Sequence, residues 1–186
     1  MGACLSCLKG SDDDGEVIEF STTMNAAVTC KLGLKGDAVK IAQNTTTNVY
    51  TVNGTGTAVG SCALDCDVAY WEVRVGSRPE NVRIGIKRFN PKKAPTLNGQ
   101  LEENGESDDP SWCLSGVELK QGDVVGVCWD QTDLPMLSFC VNGTQIVQGS
   151  VNRIRPSIDI YPAVSVSDGD CEIVFDGDHF WKSPPS

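Results

Sequence analysis

The sequence predicts an all-β protein, an antiparallel β-sandwich, from three observations. Short runs alternate apolar and polar residues with the period of two that a half-buried strand requires, as in Tyr70 to Val75, Leu137 to Val141 and Cys171 to Phe175. The dipeptide Asn142-Gly143 follows the second of these runs and supplies a hairpin turn that tolerates positive φ. The chain also contains 19 glycines and 9 prolines, a composition typical of short strands joined by turns.

The 186 residues are expected to form a tail and one domain. Residues 1–16 are polar beyond Leu8, which predicts a flexible tail, and residues 17–186 form the predicted β-sandwich domain. Between Val17 and Leu32 helical and strand spacings compete, and the threonines and β-branched residues there favour a strand. The longest apolar runs are too short to cross a bilayer.

The tail predicts a lipid anchor. Gly2 and Ser6 fit the M-G-x-x-x-[ST] pattern for N-myristoylation, and Cys4 and Cys7 lie close enough to Gly2 to accept palmitate. One myristoyl chain binds a membrane only marginally, with an association constant of roughly 10⁴ M⁻¹, so a second anchor is needed. The acidic run Asp12 to Asp14 opposes a polybasic anchor. We therefore expect palmitoylated cysteines to supply the second anchor. The protein is then expected on the cytosolic face of a membrane, with the plasma membrane preferred.

The chain carries no recognisable catalytic or metal-binding motif, which predicts a protein that is not an enzyme and uses no cofactor. His179 is the single histidine, and no G-x-S-x-G sequence presents a serine to it. Cys62 and Cys66 have neither a second cysteine pair at matching spacing nor a nearby histidine, so a zinc site is not expected. A cytosolic location keeps thiols reduced, and seven cysteines are therefore predicted to be small core residues: Cys30, Cys62, Cys66, Cys113, Cys128, Cys140 and Cys171.

Charge is distributed unevenly along the chain. The net charge of −10 argues against a nucleic-acid partner. From Arg74 to Lys93, however, there are seven bases and one acid, so this stretch carries +6 and the remainder −16. An acidic run, Glu102 to Asp109, follows. The two segments either face solvent, pair with each other or form a binding surface.

Five motifs, in order, resemble those of SPRY domains. Gly122 to Asp130 is similar to the G-D-x-V-G-x-x-x-D strand, Leu137 to Gly143 to the x-F-x-x-N-G hairpin, and Tyr161 to Val166 to the P-A-V-S strand. Upstream, Tyr70 to Val73 and Arg83 to Ile86 fit the Y-[YFW]-E-V and G-[IV] strands. The resemblance covers roughly residues 55–176 and extends to the small single-domain proteins of the SPRY domain-containing protein seven kind.

This resemblance implies a bent β-sandwich whose end loops bind protein partners. We therefore predict a non-enzymatic, membrane-tethered interaction module that binds a protein or peptide ligand and is itself monomeric. In adaptor-type SPRY domains a tryptophan precedes the glycine of the strand that begins C-E, whereas Asp168 stands before Gly169 here. A second class stays open, a self-associating structural or scaffold component of a membrane-associated coat.

The predicted partner-binding residues follow the Arg83 to Ile86 strand, where the resemblance places a loop between strands. Prolines 91 and 95 oppose a regular strand there, so the bases are expected to project from a loop beside an apolar anchor. The residues are Lys87, Arg88, Phe89, Lys92 and Lys93. We expect an acidic peptide or the anionic leaflet as the partner, and the alternative is that these bases pair with the Glu102 to Asp109 run.

Overall fold

A computed structural model describes residues 30–89, 94, 96–103, 105, 110–152, 154–155 and 159–182. Several predictions made from the sequence fall outside these residues: the tail over residues 1–16, the strand assignment before residue 30, the lipidation sites Gly2, Cys4 and Cys7, and the bases Lys92 and Lys93. Within the described part of the chain, no helix is both long and apolar enough to cross a membrane.

The described residues form ten strands, all paired antiparallel, because the alternating runs are separated by turn residues. The strands are β1 (Leu32–Lys35), β2 (Val39–Asn44), β3 (Val49–Gly60), β4 (Val68–Val75), β5 (Val82–Arg88), β6 (Ser111–Cys113), β7 (Val124–Asp130), β8 (Met136–Val141), β9 (Thr144–Asn152) and β10 (Ile160–Val174). Two 3₁₀ turns, Pro79–Asn81 and Gly177–His179, follow β4 and β10.

The two long strands β3 and β10 pair with each other and are shared by two layers. Residues 160–166 of β10 pair with β5, whereas residues 171–174 pair with β4. β3 divides in the same way, since β2 pairs with its first half and β1 with its second. The first layer therefore contains β1, β5 and β6, and the second contains β2, β4, β7, β8 and β9. This arrangement confirms the predicted bent, all-β antiparallel sandwich.

Three residues with positive φ lie where the shared strands pass from one layer to the other. Gly54 has φ 109° and Gly56 has φ 129° in β3, while Asp168 has φ 53° at a register shift in β10. A Cβ atom at Gly54 would lie 2.1 Å from the Ala38 carbonyl oxygen, so glycine is required there. An extra residue at such a bulge increases local twist, which lets one strand serve both layers.

The core lies between the two layers and includes apolar residues of the predicted alternating runs. Trp71 and Trp129 of the second layer have no exposed surface, and Phe139 is also buried. Across the core they belong to one cluster with Ile84 and Ile86 of β5. Such closely packed interiors supply most of the hydrophobic stabilisation of a domain of this size. The alternation read from β4 and β8 is therefore confirmed.

Part of the outer face of the second layer, around Tyr70 and Glu72, is also buried, which alternation alone does not predict. Glu72 has no exposed surface and accepts hydrogen bonds from the backbone N–H groups of Trp181 (2.6 Å) and Lys182 (3.2 Å). Tyr70 donates its hydroxyl to Glu72 (3.0 Å), and its ring meets Phe180 edge-on with centroids 5.0 Å apart. Residues 180–182 therefore cover this face, and a polar residue on it is buried.

Candidate partner-binding site

The structure places two of the predicted partner-binding residues in a strand and not in a loop. β5 extends through Arg88, with Lys87 paired to Tyr161 of β10 on one side and to Ser111 of β6 on the other. Lys87 is buried, with 6% of its surface exposed. The expectation that a loop presents these two bases is therefore wrong, because β6 and β10 extend the pairing of β5 beyond Ile86.

Arg88 has intramolecular partners for its guanidinium group. It donates to the backbone carbonyl of Arg155, and its Cζ atom lies 5.3 Å from the centroid of the Trp112 ring. Burial lowers the pKa of Arg88, and the positive charge of Arg155 lowers it further. These contacts attach the end of β5 to residues far along the chain, so the side chain stabilises this end of the first layer.

Phe89 is half-buried and belongs to a small apolar cluster outside the first layer. Its ring centroid lies 5.0 Å from that of Tyr161, and its N–H donates to the Asp159 carbonyl (2.9 Å). It packs against the cluster formed by Val59, Leu97, Leu101, Cys113 and Ala163. Phe89 therefore has intramolecular apolar neighbours, and Lys92 and Lys93 lie outside the described residues.

The described bases upstream of Lys87 bind groups in other parts of the chain. Arg74 pairs with Glu172 (3.0 Å) and Arg78 pairs with Asp168. Arg83 donates to the carbonyl oxygen of Leu101 (2.8 Å). The alternative prediction named the Glu102 to Asp109 run as their partner, and residues 106–109 of that run lie outside the described residues.

The structure reveals a cleft of about 420 Å³ that the sequence did not indicate. It lies between the Pro79–Asn81 turn, the first half of β5 and the segment that follows β6. Its lining includes the buried side chains of Val82 and Ile84 from β5, together with Leu114 and Leu119. These apolar side chains form one part of a lining that also contains polar groups, and ligand sites combine both kinds of group.

Acidic side chains surround this cleft. Glu80, Glu103 and Glu118 line it and are exposed. Arg83 also lines it, but its guanidinium is held by the carbonyl of Leu101. Three carboxylates against one base leave the cleft with net negative charge, which attracts cations and basic side chains.

Hydrogen bonds to backbone carbonyl groups hold both walls of the cleft. On one side, Arg78 donates to the carbonyl oxygen of Asp168 (3.1 Å) and to its carboxylate, just before Pro79 begins its turn. On the other side, the N–H of Leu114 donates to the Ile84 carbonyl (2.9 Å). Proline is favoured at the start of such a turn because its φ is fixed. The walls are therefore set by contacts between residues distant in sequence.

Asp168 is the residue for which the sequence resemblance predicts the position of a tryptophan in adaptor-type SPRY domains. Its side chain is 83% exposed, and its N–H donates to the hydroxyl of Thr55 (3.1 Å). The carboxylate binds Arg78 and offers no apolar surface. The structure thus places an acid–base pair at this position beside the cleft.

His179 takes part in a local turn. Its Nδ1 atom lies 3.1 Å from the Asp176 carboxylate, which also accepts the Asn48 side-chain amide (3.0 Å) and the Asp178 N–H (3.1 Å). These bonds lower the pKa of Asp176, with the Asn48 hydrogen bond as the largest cause. Asp176 therefore caps the turn after β10, and the His179 ring lies beside its carboxylate.

Comparison with solved structures identifies the fold as that of SPRY domains. A human SPRY domain shares 18% identity with the chain at a TM-score of 0.50, over 74% of this chain and 96% of that one. The TRIM65 PSpry domain shares 13% identity at a TM-score of 0.50, over 74% and 83%. The NEUZ (NHR) domain of Neuralized from Drosophila melanogaster shares 9% identity at a TM-score of 0.52, over 85% and 96%.

These likenesses confirm the predicted SPRY-type fold. No protein-family model and no curated protein sequence matches the chain. The narrower resemblance, to SPRY domain-containing protein seven, stays a prediction.

Proposed function

We propose that this protein is a non-enzymatic protein-interaction module held at the cytosolic face of a membrane. The observation that carries the proposal is the cleft beside β5, where apolar side chains lie beside Glu80, Glu103 and Glu118. The SPRY-type fold supports it, since the resemblance implies a domain that binds protein or peptide partners. The fitting ligand is a peptide with Lys or Arg residues for the carboxylates and an apolar side chain for the apolar part of the lining.

The membrane half of the proposal rests on the tail. Gly2 is the proposed myristoylation site and Cys4 and Cys7 are the proposed palmitoylation sites. A single myristoyl chain gives reversible membrane binding, whereas myristate and palmitate together anchor a protein stably. An anchored module would raise the local concentration of its partner at the membrane surface.

A peptide-display selection on the full chain tests the cleft. We expect selected peptides to carry basic residues around an apolar residue, and their binding to weaken at high salt. Replacing Glu80, Glu103 and Glu118 with Lys together should weaken binding at least about tenfold. Close charge pairs across an interface contribute about 1.4 kcal/mol or more to the binding free energy, and this amount corresponds to a factor of ten in affinity. Asp133→Lys, an exposed acid on the β7–β8 loop, is the matched control and should leave binding unchanged.

The selection also tests the acidic-partner prediction. Acidic peptides whose binding depends on Lys92 and Lys93 would support that prediction and contradict the cleft. Binding that is insensitive to the three Glu→Lys changes would equally exclude the cleft.

The alternative function, a self-associating scaffold, makes a different prediction. A scaffold component would form large assemblies as its concentration rises, whereas an interaction module stays monomeric. Sedimentation velocity of the unacylated full chain over a range of concentrations distinguishes the two.

A further inference from the structure

Two cysteines predicted to be small core residues, Cys30 and Cys62, are neighbours across an antiparallel pair. The N–H of Ser61 donates to the Lys31 carbonyl (2.7 Å), and the N–H of Lys31 donates to the Ser61 hydroxyl (3.3 Å). These bonds continue the β1–β3 register beyond the Leu32–Gly60 pair. Cys30 precedes Lys31 and Cys62 follows Ser61, so the same antiparallel register places Cys30 opposite Cys62.

The sulfur of Cys30 is directed toward this part of β3. A Cβ atom at Gly60 would lie 2.7 Å from Cys30 Sγ, so the absence of a side chain at Gly60 makes room for the thiol. Burial raises the pKa of Cys30, and contact with the Cys62 thiol contributes in the same direction. Opposed residues in an antiparallel pair have Cα atoms about 4.5 to 5.5 Å apart, which falls inside the range of roughly 4.4 to 6.8 Å that a disulfide needs.

The two thiols differ in exposure. Cys30 is buried with 6% of its surface exposed, whereas Cys62 is half-buried and lies beside the hydroxyl of Ser61 (3.7 Å). A small-molecule disulfide can therefore reach the Cys62 thiol, and the Cys30 thiol lies next to it for the second step of an exchange. Neither cysteine is joined in a disulfide in the structure.

We propose that Cys30 and Cys62 form a reversible disulfide by exchange with a small-molecule disulfide such as glutathione disulfide. The Cys62 thiol loses a proton and attacks one sulfur of the glutathione disulfide, whose S–S bond breaks as the first glutathione thiolate leaves and takes up a proton. Cys30 then loses its proton and attacks the Cys62 sulfur, which expels the second glutathione. Two electrons pass from the cysteines to glutathione disulfide, and the product is one intramolecular S–S bond.

The bond would join the start of the described fold to the loop between β3 and β4. It closes a loop that contains β1, β2 and β3, and this reduces the freedom of the unfolded chain. Oxidised protein should therefore melt at a temperature roughly 5 to 10 °C higher than reduced protein.

The experiment uses unacylated full chain in buffers of varying glutathione to glutathione disulfide ratio. Free thiols are then blocked, and the chain is digested without reduction by trypsin and an aspartate-specific protease. Asp65 separates Cys62 from Cys66 in this digest, so mass spectrometry assigns the linked pair. We expect a Cys30–Cys62 linked peptide, within one chain, whose fraction rises with glutathione disulfide.

Variants separate the two exchange steps. Cys30→Ser should leave glutathione on Cys62, because the resolving thiol is absent, and Cys30→Ala should behave alike. Cys62→Ser should leave Cys30 unmodified, because that thiol is buried. Cys66→Ser, the matched control for a half-buried cysteine, should keep the linked peptide.

Three results would overturn the proposal. They are glutathione persisting on Cys62 in the parent protein, linkage of Cys62 to another cysteine, and a linkage between two chains on a non-reducing gel.

Discussion

Glu72 is a buried carboxylate that acts as an acceptor for the end of the described chain. It receives the N–H groups of Trp181 and Lys182 and the hydroxyl of Tyr70. Arg74, two residues along the same strand, lies 4.1 Å over the Trp181 ring and pairs with Glu172. A charged acceptor with several donors compensates for its own desolvation. The Y-x-E pattern of β4 therefore holds residues 181 and 182 against the second layer.

Glu72→Ala should lower the free energy of unfolding by about 3 kcal/mol, because buried N–H and O–H groups lose a charged acceptor. Urea denaturation at neutral pH measures this change. Glu80→Ala, an exposed acid, is the control and should change stability by less than about 0.5 kcal/mol. If the two substitutions lower the free energy of unfolding equally, the hydrogen bonds of Glu72 to residues 181 and 182 do not stabilise the fold.

Asp123 and Asn142 show how two sequence motifs act together at the level of strands. The Asp123 carboxylate accepts the Asn142 side-chain amide (2.9 Å) and the Lys120 N–H (2.8 Å). Asn142 in turn accepts the N–H of Val124 (3.0 Å) and has φ 54° at the β8–β9 turn. The aspartate of the G-D motif therefore attaches the start of β7 to the predicted N-G turn.

These bonds predict a pH dependence of stability. The Asn142 hydrogen bond, followed by that from Lys120, lowers the pKa of Asp123 in the folded protein. Folding therefore favours the ionised form of Asp123. Its contribution to the stability of the folded protein is present above the unfolded pKa of about 3.9, and it is lost as the pH falls through the lower folded pKa. The free energy of unfolding, measured by urea denaturation, should fall as the pH is lowered from 5 to 2. Asp123→Asn should make this fall smaller. If the free energy of unfolding of the variant depends on pH as steeply as that of the parent, Asp123 does not have this role.

Strands with local signals were predictable from the sequence, and contacts between distant residues were not. The alternation around Trp71 and Phe139 and the Asn142-Gly143 turn depend on neighbouring residues, and the structure confirms them. Lys87 was misplaced because its strand pairing depends on Tyr161 and Ser111, far along the chain.

The cleft was missed for the same reason. Its walls are brought together by Arg78 with Asp168 and by Leu114 with Ile84. No short motif in the sequence records either contact.

At the scale of the whole molecule, the described sandwich and the proposed lipid anchor are separate in the sequence. The described strands begin at Leu32, and the sequence predicts that the tail over residues 1–16 lies outside the core. Substitutions at Gly2, Cys4 and Cys7 should therefore change membrane binding without changing the cooperative unfolding of the domain.

Membrane fractionation of cells that express the full chain tests this separation. Gly2→Ala should move the protein to the cytosol, because the first acyl chain cannot be attached. Cys4→Ser together with Cys7→Ser should leave weak binding that is lost on washing, since one myristoyl chain binds with only roughly 10⁴ M⁻¹. Cys66→Ser is the matched cysteine control outside the tail and should stay membrane-bound. If the double cysteine variant resists washing as well as the parent does, the second anchor is not palmitate, and a protein partner or a basic surface of the domain must supply it.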